Sequence, residues 1–471
     1  MKRQKLKSLT KYILLGYFMY IAITSVVMFA LPPQASVLEA AHPTSKMIES
    51  TERVVLIAER TEALKVRFDL MDQAEDTLDI SYYSMQGGDS VDLFYAHILK
   101  AADRGVKVRF VIDGIAHNMR LGNRDVVLLF NQHPNIDLAF YESFDPLRPW
   151  TWHNRLHDKL MIVDQSIALI GGRNIGDKYF ANEGYVGASN DFDLLLISEH
   201  LDETQIIGQM QTYFNDLWDH DYSVLQTNQE LSSSKKLKVK KARERLMETY
   251  QDNVDTYPNF YTEKVDWLAR SHEINQGYFV HNPVERFTKD PIVWREILDL
   301  VSNAKSDVVI QSPYIIPSRQ MQKDIARRDF EFSRFILLTN GMASSPNVIA
   351  HSGYRNYRNQ LANSTLDLYE YQDPDQSLHM KSIVIDEQIA AVGSFNFDSR
   401  SMELNTESMV ILDSPSLANE ILETIEQKYL PSSILVDHAE GTDELLENVS
   451  IVKQVVVFIL RPLTRMLDFL L

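Results

Sequence analysis

Two stretches of this sequence carry the same reactive residues at the same spacing. LHDKLMIVDQSIALIGGRNIGD, residues 156–177, contains His157, Lys159 and Asp164, then Gly171, Gly172 and Asn174. LHMKSIVIDEQIAAVGSFNFDS, residues 378–399, contains His379, Lys381 and Asp386, then Gly393, Ser394 and Asn396. A His and a Lys two residues apart on a strand point to one face, where imidazole and ammonium can grip a single phosphate. The Gly-Gly or Gly-Ser turn brings a small residue and an Asn amide back near that face as further donors. Downstream, DFDLLLI (191–197) and TESMVIL (406–412) each set an acidic residue, Asp193 and Glu407, at the mouth of another strand. A carboxylate there can orient an imidazole through its Nδ1 proton.

Two His residues at one phosphodiester divide the labour. One attacks phosphorus while the other protonates the departing oxygen, and water or an alcohol then reverses the path. Two Lys residues neutralise the five-coordinate transition state, so the scheme requires no metal. A lone His-x-Lys pair is common on surface strands. Two copies with identical internal spacing, at matching points of a repeat, are not a chance pattern.

The elements around the motifs also repeat. In the first half a helix-like run from Leu70 to Thr77 leads into a strand at 78–85, a helix at 94–106 and a strand at 106–113. In the second, residues 293–316 hold a helix and a strand, followed by a helix at 321–328 and a strand at 335–340. NIDLAFYES (135–143) and TLDLYEYQD (365–373) then form matching strands before each motif. Apolar runs alternating with amphipathic helices predict an α/β fold of helix-covered sheets, and a repeat of this length means duplication. Between the halves, SSSKKLKVKKARERL (232–246) reads as a solvated helix or linker whose basic face could also touch anionic lipid.

A chain of 471 residues exceeds one ordinary core. Its net charge of -18 opposes nucleic-acid binding. Cysteine is absent, which removes disulfides and thiolate metal sites, and the thirteen His residues form no His-Glu-x-x-His pair. At the N-terminus, Lys2, Arg3, Lys5, Lys7 and Lys11 precede an uncharged stretch from Tyr12 to Leu31 that Pro32 and Pro33 close. Twenty such residues reach roughly 30 Å, a bilayer core, so a retained anchor is expected rather than a cleaved signal. Basic residues before it favour a cytoplasmic N-terminus and a body outside. The C-terminal VKQVVVFILRPLTRMLDFLL is interrupted by Arg461, Pro462, Arg465 and Asp468, and suits either an interfacial helix or one packed on the protein.

At the duplicated motif the sequence resembles the phospholipase D superfamily, over roughly residues 50 to 435. Within it, GGRNIGDKYF (171–180), HPNIDL and IQSPYIIPS resemble bacterial cardiolipin synthases, most closely the C-type branch. The resemblance implies two phospholipase D-like α/β sandwich repeats packed as a pseudo-twofold pair, plus one N-terminal transmembrane helix. The expected units are a tail and anchor (1–33), a first repeat (50–228), a linker (229–274), a second repeat (275–437) and a membrane-associating amphipathic helix (450–471).

It further implies phosphatidyl transfer through a phosphatidyl-histidine, with His157 as nucleophile and His379 as general acid then base; the residues themselves do not order the two. Lys159, Lys381, Asn174 and Asn396 would hold the phosphate with help from Ser394, while Asp164 and Asp386 fix the motif loop. Asp193 and Glu407 remain the orienting carboxylates. No cofactor is implied. The expected partners are glycerophospholipids, phosphatidylglycerol or phosphatidylethanolamine, and the cell membrane, without nucleic acid; a protein partner stays open. A lipid hydrolase and, behind it, a nuclease use the same residues.

Overall fold

The computed structural model describes residues 2–31, 47–119, 123–199, 202–227, 230–287, 289–436 and 449–471, with side chains from Leu9 onward. Several expected boundary residues, Pro32, Pro33, Asn228, Gln229 and Asp437, lie outside the described residues.

Each half builds a nine-stranded mixed sheet. In spatial order the first runs Ser223–Leu225, Ile136–Tyr141, Lys107–Asp113, Thr77–Tyr82, Lys159–Val163, Ile167–Gly171, Asp193–Ile197, Arg53–Ile57 and His272–Glu273. The second runs Ser433–Leu435, Asp367–Tyr371, Arg334–Asn340, Asp307–Gln311, Ser382–Ile385, Ile389–Gly393, Ser408–Asp413, Gln276–His281 and Ile48–Glu49. The order is the same strand for strand, and in both the motif strand pairs antiparallel with a parallel three-stranded block. The edges are exchanged. Ile48–Glu49, ahead of the first repeat, closes the second sheet, and His272–Glu273, at the end of the expected linker, closes the first.

Alternation along the strands gives each sheet two apolar faces, and three large cores result among the described residues. One lies outside each sheet beneath its helices. The third lies between the sheets, where helices Ile206–Asp219 and Pro415–Thr424 contribute Ile206, Met210, Phe214, Leu417 and Ile421. The repeats are thus fused through one apolar layer, which holds their sheet ends at a fixed separation.

Asp164 and Asp386 explain why the elements before each motif end where they do. Both sit at positive φ in the turn after the motif strand, an arrangement that Asp tolerates. Asp164 accepts the backbone N–H groups of Glu75, Asp76 and Thr77, and Asp386 those of Lys305, Ser306 and Asp307. The run from Leu70 to Thr77 is therefore not one helix: helix Arg60–Gln73 stops, the carboxylate catches the next donors, and Thr77 starts a strand. Residues 233–246 belong to helix Ser233–Thr256, which buries Ala242 and Leu246 and leaves its basic residues largely exposed.

At the N-terminus, Leu9–Ala30 is long and apolar enough to cross a bilayer. Its Tyr17 and Tyr20 hydroxyls donate to the carbonyls of Pro146 (2.7 Å) and Leu147 (2.8 Å), and Phe29 packs edge-on against His153 at 4.9 Å. At the other end, helix Ile451–Met466 packs one face on Val348–Tyr354, with Val457 and Thr464 buried and Ser352 and Asn356 donating to its carbonyls. Its opposite face stays bare, with Ile451 77%, Phe458 71% and Ile459 65% exposed. Of the two readings of this segment, packing on the protein is met, and the free apolar face keeps the other available.

Candidate active site

The strand just before each His crosses to the other half. Gln376–Leu378 pairs parallel with Ala188–Asn190, after which the His379 N–H donates to the Asn190 carbonyl (2.7 Å). Leu156 bridges Thr406 in the same sense, and the His157 N–H reaches the Thr406 carbonyl (3.3 Å) and hydroxyl (3.1 Å). The twofold relation thus passes through the site, and His157 and His379 line one cavity of about 440 Å³ together with Asn174 and Asn396.

Each imidazole is held by a carboxylate from the opposite half. His157 Nδ1 lies 3.0 Å from Glu407 Oε2, and His379 Nδ1 lies 2.6 Å from Asp191 Oδ2. Both carboxylates are fully buried. Glu407 is thus the carboxylate beside His157, whereas Asp193 meets neither imidazole. Asp193 Oδ2 instead accepts Arg67 Nη1 and Arg173 Nε, each at 2.9 Å, in a buried ion-pair cluster. Removing one member of such a cluster strands buried charge and typically costs about 3–5 kcal/mol, so the role of Asp193 is structural. The sheet register gives the reason for the exchange: Gly171 pairs with Asp193 while Gly393 pairs with Met409, so Asp191 is the residue equivalent to Glu407.

The Gly-Gly and Gly-Ser turns fit these carboxylates differently. The Ser394 hydroxyl donates to Glu407 Oε2 (2.5 Å) and accepts the Ser408 N–H (3.0 Å), so it positions Glu407. This corrects its expected place on the phosphate. Ser401 and Asn405 supply Glu407 with two further donors. Gly172 stands where Ser394 does, and a Cβ there would lie 2.4 Å from Asp191 Oδ1.

Lys159 and Lys381 are buried beside their histidines. Their ammonium groups donate to the carbonyls of His157 and His379, and Lys381 also lies 2.8 Å from His379 Nδ1. Burial, followed by the mutual repulsion of the two cations, lowers Lys159 to about 7. Burial lowers Lys381 as well, against the pull of Asp191. Burial raises Glu407 to about 7. Both imidazoles are held well below their usual range, first by burial and then by the neighbouring ammonium groups. Each is therefore neutral, and the carboxylate beside Nδ1 favours the tautomer that keeps the proton there and leaves a lone pair on Nε2. Asn174 and Asn396 each have an amide oxygen without a partner, and a half-turn of the amide would put an N–H donor in its place.

Sequence reasoning missed three buried supports. Asp113 and Asn340 end equivalent strands and accept the N–H of the residue before each His, Leu156 at 3.1 Å and Leu378 at 2.8 Å. Their matched position at the ends of FVID and LLTN was the available signal. Asp158, between His157 and Lys159, faces away from the cavity and accepts hydroxyls of Tyr213, Thr406 and Ser408, tying the halves together. Among the described residues no cluster could hold a metal ion.

Known proteins match this chain along most of its length. Residues 68–218 and 297–429 match the family described as cardiolipin synthase, phospholipase D-like domain. Cardiolipin synthase C of Escherichia coli K12 is 26% identical over 399 residues, 79% of this chain and 82% of that protein. Cardiolipin synthase A of Buchnera aphidicola is 23% identical over 366 residues, 77% of this chain and 66% of its own length. Phosphatidylserine synthase of Haemophilus influenzae superposes with a TM-score of 0.63 at 15% identity, covering 90% of this chain and 97% of that one, and so shares the fold.

Proposed function

The chain belongs to the cardiolipin synthase, phospholipase D-like family, and on that premise we propose that it is a phosphatidyltransferase joining two phosphatidylglycerol molecules into cardiolipin. The observation that carries this reading is the single cavity lined by His157 and His379, each steadied by a carboxylate from the other repeat.

Neutral His157 attacks phosphorus through Nε2 while its Nδ1 proton rests on Glu407. The entering phosphodiester anion draws a proton onto His379, because negative charge nearby favours the imidazolium. That proton passes to the leaving glycerol oxygen as the phosphorus–oxygen bond breaks, leaving phosphatidyl-His157. A hydroxyl of the second phosphatidylglycerol then gives its proton to neutral His379 as its oxygen attacks phosphorus. The phosphorus–nitrogen bond breaks and cardiolipin forms; as the product anion leaves, His379 releases to solvent a proton equal to the one it took up on substrate entry, so both imidazoles end neutral. Lys159 and Lys381 turn from the backbone carbonyls to the phosphate oxygens, where developing charge is stabilised most in a buried site. Asn174 and Asn396 add neutral donors.

Leu9–Ala30 anchors the protein once across the cell membrane, with the basic N-terminus cytoplasmic and the catalytic body outside. Phe29, at the outer end of this span, packs on His153, four residues before His157, so the cavity opens near the lipid surface. The bare face of Ile451–Met466 rests on the same surface.

Purified full-length protein incubated with labelled phosphatidylglycerol and phosphatidylethanolamine in mixed micelles should yield cardiolipin. Phosphatidic acid as the sole product would assign hydrolysis instead.

A further inference from the structure

Counting four residues past each motif Asn gives Lys178 in the first half and Arg400 in the second. Both line the cavity that holds His157 and His379, so the duplicated site has a second pair of cations outside the His-Lys pairs. Their surroundings differ. Arg400 is committed to the fold: Nη1 donates to the Leu470 carbonyl (3.1 Å), and Nη2 to the His153 carbonyl (3.3 Å) and Asn405 Oδ1 (3.4 Å). Lys178 has no hydrogen-bonded acceptor among the described residues. Its ammonium stands 4.8 Å from the centre of the Tyr179 ring, which packs edge-on against the His379 imidazole at 5.5 Å. Tyr179 is itself fixed by Asn174, which donates to its hydroxyl at 3.3 Å.

If the reaction is transfer between two phospholipids, two phosphodiester anions occupy the cavity together. His157, His379, Lys159 and Lys381 converge on the phosphorus being transferred. The second phosphate needs its own counter-charge, because an unpaired anion in a partly buried cavity is costly. It must also lie on the side where His379 deprotonates the incoming hydroxyl.

We propose that Lys178 binds the phosphate of the acceptor phospholipid and so selects an anionic lipid alcohol over water or a neutral alcohol. This rests on the transferase reading of the same site. Arg400, its counterpart, holds the chain around the other wall, and the acceptor approaches from one side only.

The test is a competition in nonionic micelles containing phosphatidylglycerol as donor and acceptor, with a fixed concentration of ethanol as rival acceptor. Both products, cardiolipin and phosphatidylethanol, come from the same donor and the same enzyme sample, so their ratio does not depend on how much protein is folded. Lys178→Gln should lower the ratio of cardiolipin to phosphatidylethanol about tenfold, the effect of one lost charge-assisted contact, and Lys178→Arg should restore most of it. An unchanged ratio in Lys178→Gln overturns the subsite. Wild-type protein that makes phosphatidylethanol but no cardiolipin overturns the lipid-transfer reading, and the subsite with it.

Discussion

The two catalytic half-sites share backbone geometry but steady their histidines by different chemistry. The second half gives His157 a Glu, and Ser394, Ser401 and Asn405 all donate to that carboxylate. The first half gives His379 an Asp one methylene shorter, with Gly172 in place of the serine and Lys381 beside the same ring nitrogen. The lesson is that duplication preserved the contact between imidazole and carboxylate, while side-chain length and turn residue changed together. The longer acid needs lateral support to stay put. The shorter one is set by the backbone and needs only an empty space.

The sharpest way to break this comparison is to remove each histidine. His157→Ala and His379→Ala should each reduce turnover about ten-thousand-fold without loss of membrane association in a flotation assay. The two should separate when the donor carries a nitrophenol leaving group, which needs no proton: His379→Ala then regains release of nitrophenol and His157→Ala does not. Equal rescue of both would refute the assigned order.

Next in size are the carboxylates. Asp191→Asn and Glu407→Gln should each lower kcat by about a thousandfold or more by disordering the imidazole tautomer, whereas Asp193→Asn should act through stability and be visible as a lowered Tm. Full activity in Asp191→Asn would contradict the crossed pairing.

Smaller effects probe the turns. Gly172→Ala should displace Asp191 and cost about a hundredfold, because a Cβ there meets both carboxylate oxygens within 2.5 Å. Ser394→Ala removes one of three donors and should cost only about tenfold. The reverse ranking would mean that the second half-site is the more fragile.

Last is the pH profile. Glu407 must be ionised and Lys159 charged, and burial brings both to about 7 from opposite directions. Plots of kcat/KM should therefore fall on the acid side as Glu407 gains a proton and on the alkaline side as Lys159 loses one. Lys159→Arg keeps its charge well above that range, so the alkaline limb should recede to higher pH. A limb that stays in place would assign it to another group.

Much of this was legible in the sequence. Identical spacing from His to Asn could be read directly, because a strand, a turn and a returning strand fix those positions locally. The paired sheets followed from matching apolar runs, and the apolar span from length and the absence of charge. Asp191 was hidden because DFD offers two acids two residues apart, and only the register of Gly171 against Asp193 tells which one meets His379. That register belongs to the sheet and not to any short motif. Ser394 was misplaced for a related reason: its partner, Glu407, approaches from a neighbouring strand 13 residues later. The exchanged edges were invisible because two-residue strands carry no periodicity.

Those borrowed borders have a practical side. Ile48–Glu49 and His272–Glu273 each finish the sheet of the opposite repeat. A gene fragment encoding either repeat alone would yield a sheet with a raw margin, and such margins recruit foreign strands into aggregates. Expression trials that trim this polypeptide should therefore retain both short segments, or accept inclusion bodies as the outcome.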